Sequence, residues 1–312
     1  FVMKRIRMNN AQIKTYTYYS VVLIALIYLF SKNAFTFTNI NINFSFFISL
    51  IFLTAGYLVY PAVLNLVLHS QGIKTKYLIS LISLGNTIFS KYIPGKIAMI
   101  YAISYKINEN NKELSIKRIS FNVLLFQIII IVSGLIFGVL SAFYIPIYST
   151  RIIIFAVVFV IISIFLLLSK RIYKLLSIIL SKILKKKISL ETVSKQQLAV
   201  CLFISFIFWM LWGLGFYFFI DSLEMNIVGQ FCCIFLFPFS ICIGIILIIA
   251  PGGIGVREGV LTGFLVAAGN NVATAAELSI LSRIWFVIGE IIIFSISILI
   301  SYINKRKLKA KK

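Results

Sequence analysis

Acidic side chains are scarce in this sequence: eight Asp and Glu stand against 30 Lys and Arg over 312 residues, and there is a single histidine. That scarcity excludes much chemistry. A general base beside a phosphate could be drawn only from Glu258, Glu277 and Glu290, which sit in the apolar C-terminal third. No DxD-like metal motif and no phosphate-binding P-loop occurs, so neither metal-dependent glycosyl transfer nor ATP hydrolysis is expected. His69 has no second ligand within sequence reach. Cys201, Cys232, Cys233 and Cys242 lie in apolar runs without CxxC spacing and read as small buried hydrophobes. No catalytic residue, metal or cofactor is therefore assigned. Charged residues make up only 12% of the chain, about half the share of a soluble globular protein. No soluble domain fits.

What the chain has in excess is hydrocarbon: 61% apolar residues and a mean hydropathy of +1.05. The apolar runs are continuous for roughly 20 residues, the length a helix needs to cross a bilayer, whereas a β-barrel would show short alternating strands. The expected fold class is all-α, a polytopic membrane protein of about eight crossings. Residues 1–312 are expected to form one transmembrane domain. Spans are predicted near 15–30, 44–68, 119–142, 152–168, 198–220, 229–249 and 275–303, with two shorter broken pieces.

The net charge of +22 could suggest nucleic acid, but the placement of the cations argues otherwise. With these spans, Lys32 and Arg151 fall on one side and Lys91, Lys96, Arg257 and Arg283 at membrane depth; every other cation falls on the opposite side. This is the positive-inside pattern, which puts both termini in the cytoplasm of a cell-membrane protein and argues against nucleic acid as a partner. The basic segment 170–195 reads as an amphipathic helix on the inner headgroups and could dock a cytoplasmic glycosyltransferase. Further copies of the chain are a second candidate partner.

Two stretches depart from membrane filler. Ala250-Pro251-Gly252-Gly253-Ile254-Gly255-Val256-Arg257-Glu258-Gly259 puts a proline, four glycines and two opposite charges after a long apolar run. Lys91-Tyr92-Ile93-Pro94-Gly95-Lys96 interrupts the run 77–105 in the same manner. Pro and Gly release backbone donors and acceptors, and such backbone is tolerated at membrane depth only inside protein or beside a watery cavity. Each charge there costs roughly 2.5–3.5 kcal/mol on the insertion scale. Both stretches are therefore expected to be broken or re-entrant, with Pro94, Gly95, Pro251, Gly252, Gly253 and Gly255 as the helix breaks. Their positions in opposite halves of the chain are compatible with an inverted repeat of the kind that flanks transporter sites.

Arg283 and Glu290 fall on one face of the last span, about two turns apart. Among the depth-buried charges, Lys91, Lys96, Arg257 and Arg283 outnumber Glu258 and Glu290. A surplus cation in hydrocarbon needs water or an anion, and the helix starts after each break add positive dipole ends. A lipid phosphate would meet all of these needs, with Lys96 and Arg257 contacting it and Glu258 and Glu290 holding the arginines.

At these residues the sequence resembles the transmembrane, flippase-like domain of the lysylphosphatidylglycerol synthase family. The Pro-Gly-Gly-x-Gly-x-Arg-Glu stretch from Pro251 to Glu258 is the most specific part. Gly85-Asn86, Lys91 to Lys96, and Ser282-Arg283 with Glu290 support it. The resemblance implies a membrane domain that moves a lipid between leaflets. In the family's full-length enzymes a soluble transferase adds the lysyl group, and no segment here corresponds to it, so aminoacylation is not expected. Stand-alone members resemble partners of glycolipid or polyprenyl-phosphate pathways. The expected substrate is thus an anionic phospholipid or a polyprenyl-phosphate-linked glycan intermediate. The alternative is a membrane enzyme or accessory subunit of lipid-linked glycan assembly.

Overall fold

The computed structural model describes residues 43–93, 97–109, 115–144, 150–171, 173–175, 177–178, 192–246 and 253–310. The span expected over 15–30, the residues Pro94, Gly95 and Lys96, the residues Pro251 and Gly252, and most of the basic segment 170–195 lie outside these. Among the described residues the regular structure is helical: α1 (Phe44–Ser70), α2 (Tyr77–Asn86), a 3₁₀ turn (Ile88–Tyr92), α3 (Ile97–Asn108), α4 (Ile116–Ala142), α5 (Thr150–Leu168) and α6 (Lys195–Ser222). A second 3₁₀ turn (Gln230–Cys232) leads into α7 (Cys233–Ile246), and α8 (Val256–Ala267) and α9 (Val272–Ala310) complete the order.

Among the described residues four helices are long and apolar enough to cross a membrane: Phe44–Ser70, Ile116–Ala142, Lys195–Ser222 and Val272–Asn304. Shorter apolar helices stand at Tyr77–Asn86, Ile153–Leu168 and Gln230–Ile246. Their starts follow local chemistry. Asn43 Oδ1 accepts from the Phe46 amide at 3.1 Å, Ser115 Oγ accepts from Arg118, and Ser194 and Gln197 form a reciprocal capping box at α6. Each cap satisfies an amide that hydrocarbon would leave unpaired.

Helix α1 packs along α6, and α7 lies against both α4 and α6. Helix α9 touches α1, α2 and α8, so the two chain halves meet on it. The centre is aromatic: Phe208, Trp209, Trp212, Phe216, Phe237, Trp285 and Phe286 are buried and in ring contact. Every indole N–H finds an acceptor. Trp209 donates to Ile130 O and Ser133 Oγ at 3.1 Å, Trp212 to Leu53 O at 3.2 Å, and Trp285 to Ser49 Oγ at 3.0 Å. Buried serines on the spans donate back to carbonyls one turn earlier, as Ser133, Ser205 and Ser240 do, and stay satisfied without water. Helix α5, which packs on α4, turns Phe155 and Phe165 outward at 74% and 75% exposure. A lipid-facing helix would show just such a surface.

Candidate functional site

Helix α9 supplies Arg283, Phe286 and Glu290, three and four residues apart and hence on one face. Glu290 lies near the middle of the apolar stretch Val272–Asn304, about 27 Å of helix rise from one end and 21 Å from the other. The charge is thus well inside the depth of a bilayer. It is fully buried, and two partners hold it: Lys91 Nζ donates to Oε1 at 2.5 Å and the Tyr92 hydroxyl to Oε2 at 2.9 Å. Both come from the 3₁₀ turn that replaces regular helix between α2 and α3. The break after Asn86 is what turns these two side chains toward α9.

The second break is built around close backbone approach. Gly253 has φ +72°, and a Cβ there would stand 3.2 Å from Gly244 Cα; a Cβ on Gly244 would stand 3.3 Å from Arg257 Cβ. Two glycines therefore let the loop and the base of Arg257 lie directly on α7. Gly255, at φ +81°, donates its amide to Glu258 Oε2 at 2.7 Å. Glu258 Oε1 accepts from Arg283 at 3.0 Å. One carboxylate thus caps α8 and fixes α8 to α9. Glu258, where a phosphate was expected, occupies the start of this helix.

Arg257 and Glu258 are adjacent in sequence but point about 100° apart on a helix, and they have different fates. Arg257 is only 4% exposed. Among the described residues no carboxylate lies within 4 Å of its guanidinium. Its Nε is buried without a hydrogen-bond partner, and one terminal nitrogen reaches Ser282 Oγ and O only at 3.4 and 3.5 Å. The guanidinium rests over the rings of Phe237 at 4.7 Å and Phe286 at 4.6 Å. Two such cation–π contacts are worth about 0.5–2 kcal/mol each, and contacts of 3.4–3.5 Å are at the outer limit of hydrogen bonding. Desolvating an ion costs several kcal/mol. Among the described cations lining the cavity, Arg257 is the one without a carboxylate partner.

Lys91, Tyr92, Arg257, Arg283 and Glu290 all line a cavity of about 130 Å³. Most of its other lining is apolar and aromatic, with Tyr60, Phe208, Trp209 and Trp212 among it, and the Tyr57 hydroxyl on its wall is buried with no partner. The space is several times the roughly 10–15 Å³ that one water needs. It borders both breaks, since Tyr92 and Gly253 each line it.

The family model described as the lysylphosphatidylglycerol synthase TM region matches residues 17–292. The chain belongs to that family. No curated protein and no solved structure matches it. Within this member of the lysylphosphatidylglycerol synthase TM region family, the matched segment includes every charged residue of the cavity. The protein is thus a membrane protein of a lipid-related family.

Of the residues expected at the site, Lys91, Arg257, Arg283, Glu258 and Glu290 come together, with Gly253 and Gly255 shaping the loop; Lys96, Pro94, Gly95, Pro251 and Gly252 lie outside the described residues. One pairing differs from expectation. Glu290 was to hold an arginine, and its direct partners are Lys91 and Tyr92, while Arg283 takes Glu258. Sequence reading also assigned no role to Tyr92 or Tyr57. Tyr92 had a signal, its place beside Lys91 inside the break. Tyr57 had none, because it sits in an ordinary apolar span.

Proposed function

We propose that this protein binds the phosphate of an anionic phospholipid or lipid-linked glycan intermediate in the cavity and moves it, flippase-like, between the leaflets. The observation that carries the reading is Arg257: nearly fully buried, without a carboxylate among the described residues, and on the wall of a cavity large enough for a phosphate. A lipid oxyanion would supply the missing counter-charge in a low-dielectric site where charge-assisted hydrogen bonds are strong. Lys91 and Arg283 add positive potential behind it, and Lys96 is assigned to the same phosphate from its place in the sequence beside Pro94-Gly95. The aromatic body would receive the hydrocarbon next to the headgroup. The two breaks, read as re-entrant pieces in a chain of about eight crossings with both termini cytoplasmic, would let the site open to either side.

An enzyme of lipid-linked glycan assembly would need a carboxylate free to act as base. Of the three candidate bases, Glu258 and Glu290 are engaged in ion pairs and Glu277 is exposed and does not line the cavity, which favours the carrier.

Headgroup translocation in proteoliposomes tests this. The intact protein is expected to speed the transbilayer movement of phosphatidylglycerol over protein-free vesicles, and Arg257→Gln to return it to that background. Arg257→Gln at the intact rate, with thermal unfolding showing both proteins folded, would remove the proposal.

A further inference from the structure

Among the described residues Glu290 is the one carboxylate that lines the cavity, and it is held differently from Glu258. Glu258 spends its oxygens on the Arg283 guanidinium and the Gly255 amide, donors that do not give up a proton. Glu290 has Lys91 Nζ on one oxygen and the Tyr92 hydroxyl on the other, and all three of these groups can trade protons. The pair lies at membrane depth, where ionisable side chains mark substrate paths and proton relays. From this we infer that the Lys91–Glu290 pair is a proton-coupling site: it takes up one proton when an oxyanion enters the cavity and returns it when the anion leaves. The inference rests on the reading of the cavity as an anion site.

Among the described residues the Lys91 ammonium makes one hydrogen bond, to Glu290, and 23% of its side-chain surface stays open. Its other N–H groups are left for a guest. Lys91 and Arg257 both lie near the Phe286 ring, at 5.1 and 4.6 Å from its centre, so an anion held by Arg257 enters the field of the same lysine. Carboxylate and guest then share one ammonium in a site of low dielectric. Two acids so close do not both stay ionised. A phosphodiester is the stronger acid of the two, so the proton goes to Glu290, whose complete burial already disfavours its charge. Around Glu290 the cavity wall carries Lys91 and Tyr92 from the 3₁₀ turn, Arg283 on its own helix, Arg257 on α8, and Tyr57 and Tyr60 on α1. Helices α2 and α6, which also pack on α9, bring no charged side chain to it. The arginines keep their protons; they favour the ionised carboxylate, and the incoming anion cancels that field. Lys96, assigned to the phosphate from its place in the sequence, lies outside the described residues; it adds a cation and no carboxylate. One proton from solution accompanies each singly charged anion, so their joint passage moves no net charge.

The experiment is calorimetric titration of dioctanoyl phosphatidylglycerol into the purified full chain in non-ionic detergent, in two buffers of different ionisation enthalpy, which counts the protons exchanged. The phosphodiester of this probe lacks the second ionisation of a phosphomonoester, so a proton counted near neutral pH belongs to the protein. About one proton is expected to be taken up per lipid bound. Because binding then consumes a proton, affinity is expected to fall as pH rises, by up to about tenfold per pH unit. Infrared difference spectra of the intact chain should gain the carbonyl band of a protonated carboxylic acid on lipid addition, a band absent in Glu290→Gln and kept in Glu258→Gln. Binding with no proton taken up and an affinity flat across pH would overturn the inference and leave the phosphate site standing. So would a carboxylic-acid band that is missing in the intact chain or persists in Glu290→Gln. Failure of the lipid to bind at all would overturn the phosphate reading itself. In proteoliposomes held at zero voltage, a pH gradient is expected to drive phosphatidylglycerol toward the alkaline side beyond any drift in protein-free vesicles. An even distribution there, with the protein moving lipid, would also overturn the coupling.

Discussion

Replacing Glu290 by glutamine removes one charge at a fully buried ion pair and changes almost nothing in shape. Glu290 has no exposure, and its lysine partner keeps 23% of its side-chain surface. Breaking a fully buried ion pair by removing one partner costs about 3–5 kcal/mol, because the other charge stays behind uncompensated. The partial exposure of Lys91 toward the cavity lets water relieve part of that, so the lower end, about 3 kcal/mol, is expected. The glutamine can still accept from Lys91 or Tyr92, which prevents a larger loss. On the scale of helical proteins this size the melting temperature should fall by roughly 5–10 °C. Adding Lys91→Met to Glu290→Gln removes the stranded cation, and the double variant should recover at least about 2 kcal/mol relative to the sum of the singles. Thermal unfolding of the purified protein in detergent, with a full double-variant cycle, measures both quantities. A Glu290→Gln protein melting within about 1 °C of the intact one, with no coupling to Lys91→Met, would mean that the Lys91–Glu290 ion pair contributes nothing to the native state. The charge balance argued for the cavity would then be wrong.

Four other outcomes follow from contacts elsewhere in the fold. Glu258→Gln weakens both the α8 cap and the bond to Arg283, and a loss of about 1–3 kcal/mol is expected in the same unfolding assay. Gly213→Ala would set a Cβ 2.0 Å from the Ile234 carbonyl oxygen; backbone cannot yield that far, so expression and melting temperature should drop sharply. Gly263→Ala on α8, where nothing lies within 4 Å, is expected to stabilise by up to about 1 kcal/mol through helix propensity. Asn270→Ala removes the side chain that clasps Val228 N, Val228 O and Leu265 O at 2.8–3.0 Å. Hydrogen exchange at the Val228 amide should rise with it.

Much of the frame was legible because hydrocarbon length is a coarse and strong signal. The run predicted at 44–68 forms Phe44–Ser70, and that at 119–142 forms Ile116–Ala142, each a turn or less from its expected ends. The interruption near Lys91 was legible for the same reason: cations in an apolar run demand a departure from regular helix, and a 3₁₀ turn stands there. The partners of the charges were not legible. Lys91 and Glu290 meet across 199 positions, and no local period encodes which of several carboxylates a lysine will find. Arg257 and Glu258 are neighbours in sequence, yet helical rotation sends one to the cavity and the other to Arg283. The aromatic wall was hidden in ordinary spans, where Trp and Phe read as filler until α1, α6 and α9 bring them to one centre.

The central claim is that Arg257 holds a lipid phosphate, and lipid identification by native mass spectrometry of the protein released from its membrane tests it most directly. The account predicts a retained phosphorus-containing anionic lipid on the intact chain, lost in Arg257→Gln and kept in part by Arg257→Lys. A chain that arrives free of lipid, or one whose Arg257→Gln form keeps the same lipid at the same occupancy, would contradict it.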